Sequence, residues 1–311
     1  MSRRARRARN ERPGPAGFLV VDKPAGCTSH DVVDAARRWL GTRRVGHLGT
    51  LDPLATGVLP LAVREATKLV PFVEGGTKSY EGAIRLGTDT DSMDADGAVV
   101  RRHEGPLPDE AAVLEALTGF LGEIEQVPPM YSAVKRGGVP LYRLARQGKQ
   151  VERDPKRVRI DRIELLKYAP PDVEIAVDCS AGTYVRALAS VLGERLGCGA
   201  HLARLRRTRS GPFGAEQTVA ASVLEREAEQ GTLEGRLVPP VNVLGLPVVR
   251  LSGEAAQRVR HGGDVEAPDA SLAPGSKLAA LGPGGELVAV LEATPGRRLH
   301  PLRVLAVGRQ D

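Results

Sequence analysis

The stretch RVGHLGTLDPLATGVLP, Arg44 to Pro60, carries one histidine, three glycines, two prolines and one carboxylate, Asp52. Read alone, Asp52-Pro53 is turn chemistry, because an Asp side chain bonds its own backbone and Pro presets the next φ. The Gly and Pro content predicts a loop here. Whether Asp52 is a turn residue or a reacting group depends on what the rest of the chain places around it.

Outward from this stretch, helices and strands mix without steady alternation. GFLVVDKP (17–24) reads as a buried strand ended by proline, and TSHDVVDAARRWLG (28–41) as a helix with a Thr/Ser cap and Gly41 as its stop. KSYEGAIRLG (78–87) and VEIAVDCS (173–180) alternate with the period of strands. PDEAAVLEALTGFLG (108–122) predicts a helix from Asp109 to Gly122, and GTYVRALASVLGERLG (182–197) another; ARLRRTRSGPF returns to a strand. The pattern fits an α+β body with a mixed, largely antiparallel sheet. After about residue 235 the texture changes to a Pro-rich connector, one short helix (252–261) and three apolar strands, a small mostly-β appendage.

Composition narrows the function classes. No apolar run approaches the ~20 residues of a membrane span, and the N-terminus lacks the apolar core of a secretory signal. Three widely spaced cysteines, Cys27, Cys179 and Cys198, offer neither a disulfide framework nor a metal knuckle. These features lead us to expect a soluble protein of a reducing cytoplasm. Of the formal net charge of +6, residues 1–12 hold +5 through six Arg and one Glu, the pattern of a disordered basic arm. Within the body, residues 126–160 carry nine Lys or Arg against two acids, and HLARLRRTRS (201–210) adds four Arg and no acid. Segregated basic segments on a nearly neutral body suit a polyanion with a defined docking face.

Several motifs fail on inspection. TDTDSMDADG (88–97), registered as an EF-hand on Gly97, would put Ser92 first and His103 twelfth, so the ligands are wrong and an acidic hairpin is expected. GGTKS (75–79) lacks the spacing of a phosphate loop. Hydrolase, metal and nucleotide readings find no motif.

GFLVVDKPAGCTSHDVV, RVGHLGTLDPLATGVLP, QVPPMYSAVKRGGVPLYRLARQG and CSAGTYVRALASVLGERLGCGAHLARLRR occur in that order. This series closely resembles the TruB family of bacterial tRNA pseudouridine synthases, from about Gly17 to the C-terminus. The basic arm, taken as 1–16, lies outside the resemblance, which implies a catalytic body at 17–240 with an RNA-gripping insertion at about 126–155, and a PUA-like RNA-binding domain at 241–311. It implies isomerisation of uridine 55 in the TΨC arm of tRNA, without a cofactor or metal. A monomer with no obligatory protein partner and no membrane association is the default expectation.

The resemblance makes Asp52 the nucleophile, Arg186 its ion-pair partner, and Tyr80 the residue that stacks on the base and is a candidate to move the C5 proton. Tyr184 and Leu205 match positions lining the base pocket, and His47 the histidine that holds the RNA with its target everted. Lys135, Arg143, Arg146, Arg206 and Arg207 are expected on backbone phosphates. Whether Asp52 attacks the ribose C1′ or the uracil ring is open at this level. Two other readings are an RNA-folding module whose catalysis is incidental, and a guide-RNA-dependent, dyskerin-like enzyme. The basic insertion and the lack of a Lys-rich tail disfavour the latter.

Overall fold

The computed structural model describes residues 14–132, 134–145, 147–268 and 272–306 of the chain. The basic arm expected at 1–16 lies outside them as far as Pro13, and Arg146 also lies outside them. β1 (Gly17–Lys23) is followed by the helix Ser29–Leu40. Thr28 accepts from the Asp31 N–H while Asp31 accepts from the Thr28 N–H, and Gly41 at φ +59° ends the helix.

The Gly/Pro-rich stretch expected to be a loop from 44 to 60 is one only in its middle. Val45–His47 forms β2 and Thr56–Val63 forms β3, leaving residues 48–55 irregular. Pro60 survives inside β3 because its carbonyl, which accepts from the Leu48 N–H, faces the gap where pairing to β2 has ended and pairing to the later strand at 206–207 has not begun. In extended backbone the nitrogen points to the same side, so the proline forgoes only the reciprocal bond to Leu48 O, beyond the last residue of β2.

β4 (Lys78–Leu86) leads into the acidic segment, which forms a hairpin of β5 (Thr88–Thr90) and β6 (Val99–Arg102) as expected. The helix capped by Asp109 runs only over Glu110–Thr118; Gly122, expected as its stop, opens β7 (Gly122–Gln126) instead. The insertion holds a short hairpin, β8 (Lys135–Arg136) with β9 (Val139–Pro140), and the helix Leu141–Ala145. β10 (Lys156–Ala169), β11 (Asp172–Cys179), the helix Val185–Arg195, β12 (Ala200–Ser210), β13 (Phe213–Gly214) and β14 (Val219–Ala220) complete the body's strands.

These strands form one mixed sheet in the order β14-β1-β3-β12-β4-β11-β10-β7, with β2 and β13 paired at its side. Only β1/β14 and β12/β3 run parallel. β1 and β3 are buried on both faces. Leu19, Val21, Leu59 and Leu61 join the core beneath the helices, while Phe18, Val20, Val58 and Ala62 join a second core on the opposite face. That is why FLVV and GVLPLAV are nearly unbroken apolar runs, whereas β4, buried mainly on one face, alternates.

The second core reaches Ala279 and Val290 of a smaller sheet, and Leu305 just past its last strand. That sheet has five strands, β15 (Val248–Arg250), β16 (Val265–Glu266), β17 (Lys277–Leu281), β18 (Leu287–Thr294) and β19 (Arg298–Val304), in the order β15-β17-β18-β19-β16. The sequence reading found three of them; β15 and β16 are too short to show a period. The architecture is therefore α+β, a mixed central sheet with helices plus a small terminal sheet. Among the described residues no helix is long and apolar enough to cross a membrane.

Candidate active site

The loop between β2 and β3 is held from the strands on either side of β3. From β1, Lys23, fully buried, donates through Nζ to the carbonyls of Ala55 (2.6 Å), Pro24 (2.9 Å) and Pro53 (3.2 Å). From β12, Arg207 donates to Val58 O at 2.7 Å, Gly49 O at 3.1 Å and Thr50 O at 3.4 Å. Ser29, at the start of the first helix, accepts from the Leu51 N–H and donates to the Leu51 carbonyl. Gly57, at φ +98°, permits this closeness, since a Cβ there would lie 2.2 Å from Arg207 O. A short loop with so many of its carbonyls fixed presents one side chain, Asp52, in a defined direction.

Asp52 meets Arg186 from the helix Val185–Arg195. Arg186 Nη2 donates to Asp52 Oδ1 at 3.0 Å, and Nε lies 2.9 Å from Oδ2, off the axis of a hydrogen bond. The guanidinium is 3 % exposed and the carboxylate 34 %, so the acid is reachable from outside while its partner is sealed behind it. Arg186 is fixed further by donating to Ser92 O at 2.9 Å and Tyr131 O at 2.8 Å. Its Nη1 lies 3.3 Å from Oδ2 of Asp94, a second carboxylate buried in the acidic hairpin.

Burial raises the Asp52 pKa above the usual carboxylate value; Arg186 opposes the shift and Asp94 adds to it. One guanidinium is thus shared between two carboxylates.

Tyr80 and Tyr184 sit close enough for the Asp52 charge to act on both phenols, each of which burial pushes up. Tyr80 is 7 % exposed and belongs to the helix-side core. Leu205 lies in the same core, opposite Gly82 on β4, where a Cβ would come within 3.1 Å of Leu205 Cδ1. Tyr184, just before its helix, is clamped by the buried Gln126, whose Oε1 accepts from the Tyr184 N–H at 2.7 Å and whose Nε2 donates to its carbonyl at 3.0 Å. His47 stands apart with Arg207, His30 and Lys78, and burial pushes its pKa down.

The expected phosphate contacts divide. Lys135 and Arg143 are exposed on the insertion. Arg206 is half-exposed and makes a two-pronged pair with Asp22 at 3.0 and 2.9 Å. Arg207 is contradicted as a phosphate ligand: it is fully buried and its donors are turned to two carbonyls of the Asp52 loop, Gly49 and Thr50, and to Val58 O in β3. Sequence reasoning missed Lys23, Asp94 and Gln126. Lys23 lay in view in the DKP run, whereas nothing in TDTDSMDADG singles out Asp94. Among the described residues no cluster of three His, Cys, Asp or Glu side chains is placed to hold a metal.

The family model described as TruB family pseudouridylate synthase, N-terminal domain, matches residues 37–185. The model described as tRNA pseudouridylate synthase B C-terminal domain matches residues 186–243, so Asp52 falls in the first match and Arg186 opens the second. The tRNA pseudouridine synthase B of Geobacter sulfurreducens is 43% identical over 286 residues, 90% of this chain and 94% of the relative. That of Pseudomonas aeruginosa is 42% identical over 294 residues, 93% of this chain and 96% of the relative. Among solved structures, a Cbf5-Nop10-Gar1 complex matches with TM-score 0.69 and 30% identity over 94% of this chain and 85% of that one. An H/ACA RNP bound to a substrate RNA containing 2′-deoxyuridine matches with TM-score 0.70 and 28% identity at the same coverage. The chain belongs to the TruB family of pseudouridylate synthases.

Proposed function

We propose that this protein is a tRNA pseudouridine synthase that isomerises uridine 55 of the TΨC arm, with Asp52 as nucleophile. The observation that carries the reading is the reachable Asp52 carboxylate backed by the sealed Arg186. An ionised carboxylate attacks, either at ribose C1′ or at the uracil ring, and is a good leaving group when the adduct resolves. The N1–C1′ bond breaks, the base turns, C5 bonds to C1′, the C5 proton is lost and N1 gains one. The product is an isomer of the substrate, so no redox partner or cofactor enters the balance.

The target is stacked in a folded arm and has to be flipped out, at a cost of a few kcal/mol. Stacking on Tyr80 returns about 1–3 kcal/mol of this. Tyr184 and Leu205 wall the base, Tyr80 is also the candidate to move the C5 proton, and His47 holds the strand from which the base has left. In this reading residues 17–240 are the catalytic body, the insertion at about 126–155 grips RNA through Lys135, Arg143 and Arg146, Arg206 contributes at the sheet, and 241–311 is a PUA-like RNA-binding domain. The protein works as a cytoplasmic monomer on tRNA alone.

The likeness to H/ACA RNP structures favours a second, guide-RNA-dependent reading. The basic insertion and the higher identity to tRNA pseudouridine synthase B relatives support the first. Chemical mapping of pseudouridine on a bare tRNA transcript, incubated with purified protein and no other RNA, decides between them. Conversion at position 55 is expected; modification only with an added guide would overturn the reading.

A further inference from the structure

Among the described residues Lys78 is a cation with no bonded counter-charge, at the edge of the site. It opens β4 two residues before Tyr80, so both side chains leave the same face of the sheet, roughly 7 Å apart along the strand. Its ammonium reaches the Asp52 loop: a Cβ on Gly49 would lie 2.7 Å from Lys78 Nζ and 3.6 Å from Arg207 Nη1. Gly49, at φ +82°, therefore leaves a cradle between the loop and the ammonium.

Cations and backbone N–H groups crowd this cradle, together with an imidazole whose Nδ1 donates in one of its two tautomers. Among the described residues Lys78 Nζ makes no hydrogen bond or ion pair, and the N–H groups of Gly49 and Thr50 have no acceptor. His47 Nδ1 is buried and unpartnered among the described residues. Arg207 stands beside both Lys78 and His47, and the carboxylate acting on Lys78 belongs to Glu74, which is exposed. Burial and the like charge of Arg207 push the Lys78 pKa down. Arg207 itself is committed to carbonyls, so Lys78 is the cation left to meet a ligand. Convergent cationic and N–H donors with so little negative charge among them are anion chemistry.

We propose that Lys78, with His47 and the Gly49–Thr50 backbone, binds a phosphodiester of the RNA strand adjoining the extruded nucleotide, and so sets the register that brings that nucleotide to Asp52. This rests on the reading of the protein as an RNA pseudouridine synthase. An RNA phosphate is the fitting anion because the base-stacking candidate, Tyr80, lies one strand repeat away on the same face. A nucleotide presents a base and its flanking phosphates in one covalent unit.

The test is equilibrium binding of a labelled TΨC stem-loop over a range of salt. The wild type is compared with Lys78→Met and Lys78→Arg, on the native RNA and on RNAs with an uncharged methylphosphonate linkage 5′ or 3′ of the target uridine. Lys78→Met is expected to weaken binding of the native RNA about tenfold. It is expected to lower the slope of log K against log salt by about 0.7–0.9 and to abolish the loss that one neutral linkage causes in the wild type. Lys78→Arg is expected to keep the slope. An unchanged slope in Lys78→Met, or an equal loss on native and neutral linkages, would overturn the proposal. So would a wild type indifferent to both neutral linkages, a result that requires no variant to fold. A wild type that fails to bind the native stem-loop would instead remove the synthase reading on which the subsite rests.

Discussion

Arg186 stands between two carboxylates: its Nη1 lies 3.3 Å from Asp94 Oδ2, on the opposite edge of the guanidinium from the Nε and Nη2 atoms that face Asp52. Asp94 is 4 % exposed and held in place by Ser92 Oγ and the Asp96 N–H. The acidic hairpin thus serves the site from behind, aiming the arginine that in turn aims the candidate nucleophile.

Replacing Asp94 by Asn is therefore expected to act through Arg186. The guanidinium loses one of its two counter-charges in a buried setting but keeps Asp52, at a cost of about 1–3 kcal/mol in stability. Turnover is expected to fall roughly 10- to 100-fold with a small change in KM, because Asp52 is misaimed and RNA contacts are untouched. Chemical denaturation and single-turnover kinetics check the two effects separately.

The raised pKa of Asp52 has a sign that can be measured. The folded protein holds this proton more tightly than the unfolded chain, whose value is about 3.8. Its contribution to stability is present below that value and is lost as pH rises from there through the folded pKa. Activity runs the other way, because the ionised form attacks. The acid limb of log kcat/KM should lie above the ordinary Asp value, and stability of wild type relative to Asp52→Asn should decline across the same window.

Gln126 bridges the insertion to the base pocket through its two hydrogen bonds to the Tyr184 backbone. Gln126→Leu leaves both groups unpaired, a cost of about 1–3 kcal/mol. A loosened Tyr184 should raise KM for tRNA more than it lowers kcat, as read from steady-state kinetics at several tRNA concentrations.

Lys23→Met removes three hydrogen bonds from the carbonyls that shape the Asp52 loop. The expected loss is about 1–3 kcal/mol, carried mainly by the buried bond to Ala55 O, whereas water can reach the carbonyls of the exposed Pro24 and Pro53. Thermal melts report the stability loss, and kcat should fall at temperatures where the variant remains folded.

Much of this arrangement was legible before the structure. The helix Ser29–Leu40 announces itself by its cap and Gly stop, and β4 and β11 by alternation. β10, fourteen residues long, went unread because only Val158 and Ile160 of it are buried and its charged side chains hide the period. The resemblance led to Asp52 and Arg186, 134 residues apart in sequence, and the fold sets them in ion-pair contact. Arg207 was misread for a physical reason: a run of arginines looks like a phosphate grip, and only the burial of β12 beside β3 shows one of them turned inward. Asp94 and Gln126 carry no local signal, since their partners lie 92 and 58 residues away.

The central claim is that the Asp52 carboxylate bonds to the target nucleotide, and the most direct measurement is single-turnover pseudouridine formation by Asp52→Asn on tRNA it still binds. Unchanged affinity with no detectable product is the result this account requires. Substantial conversion by the Asn variant, at a rate within reach of wild type, would contradict it.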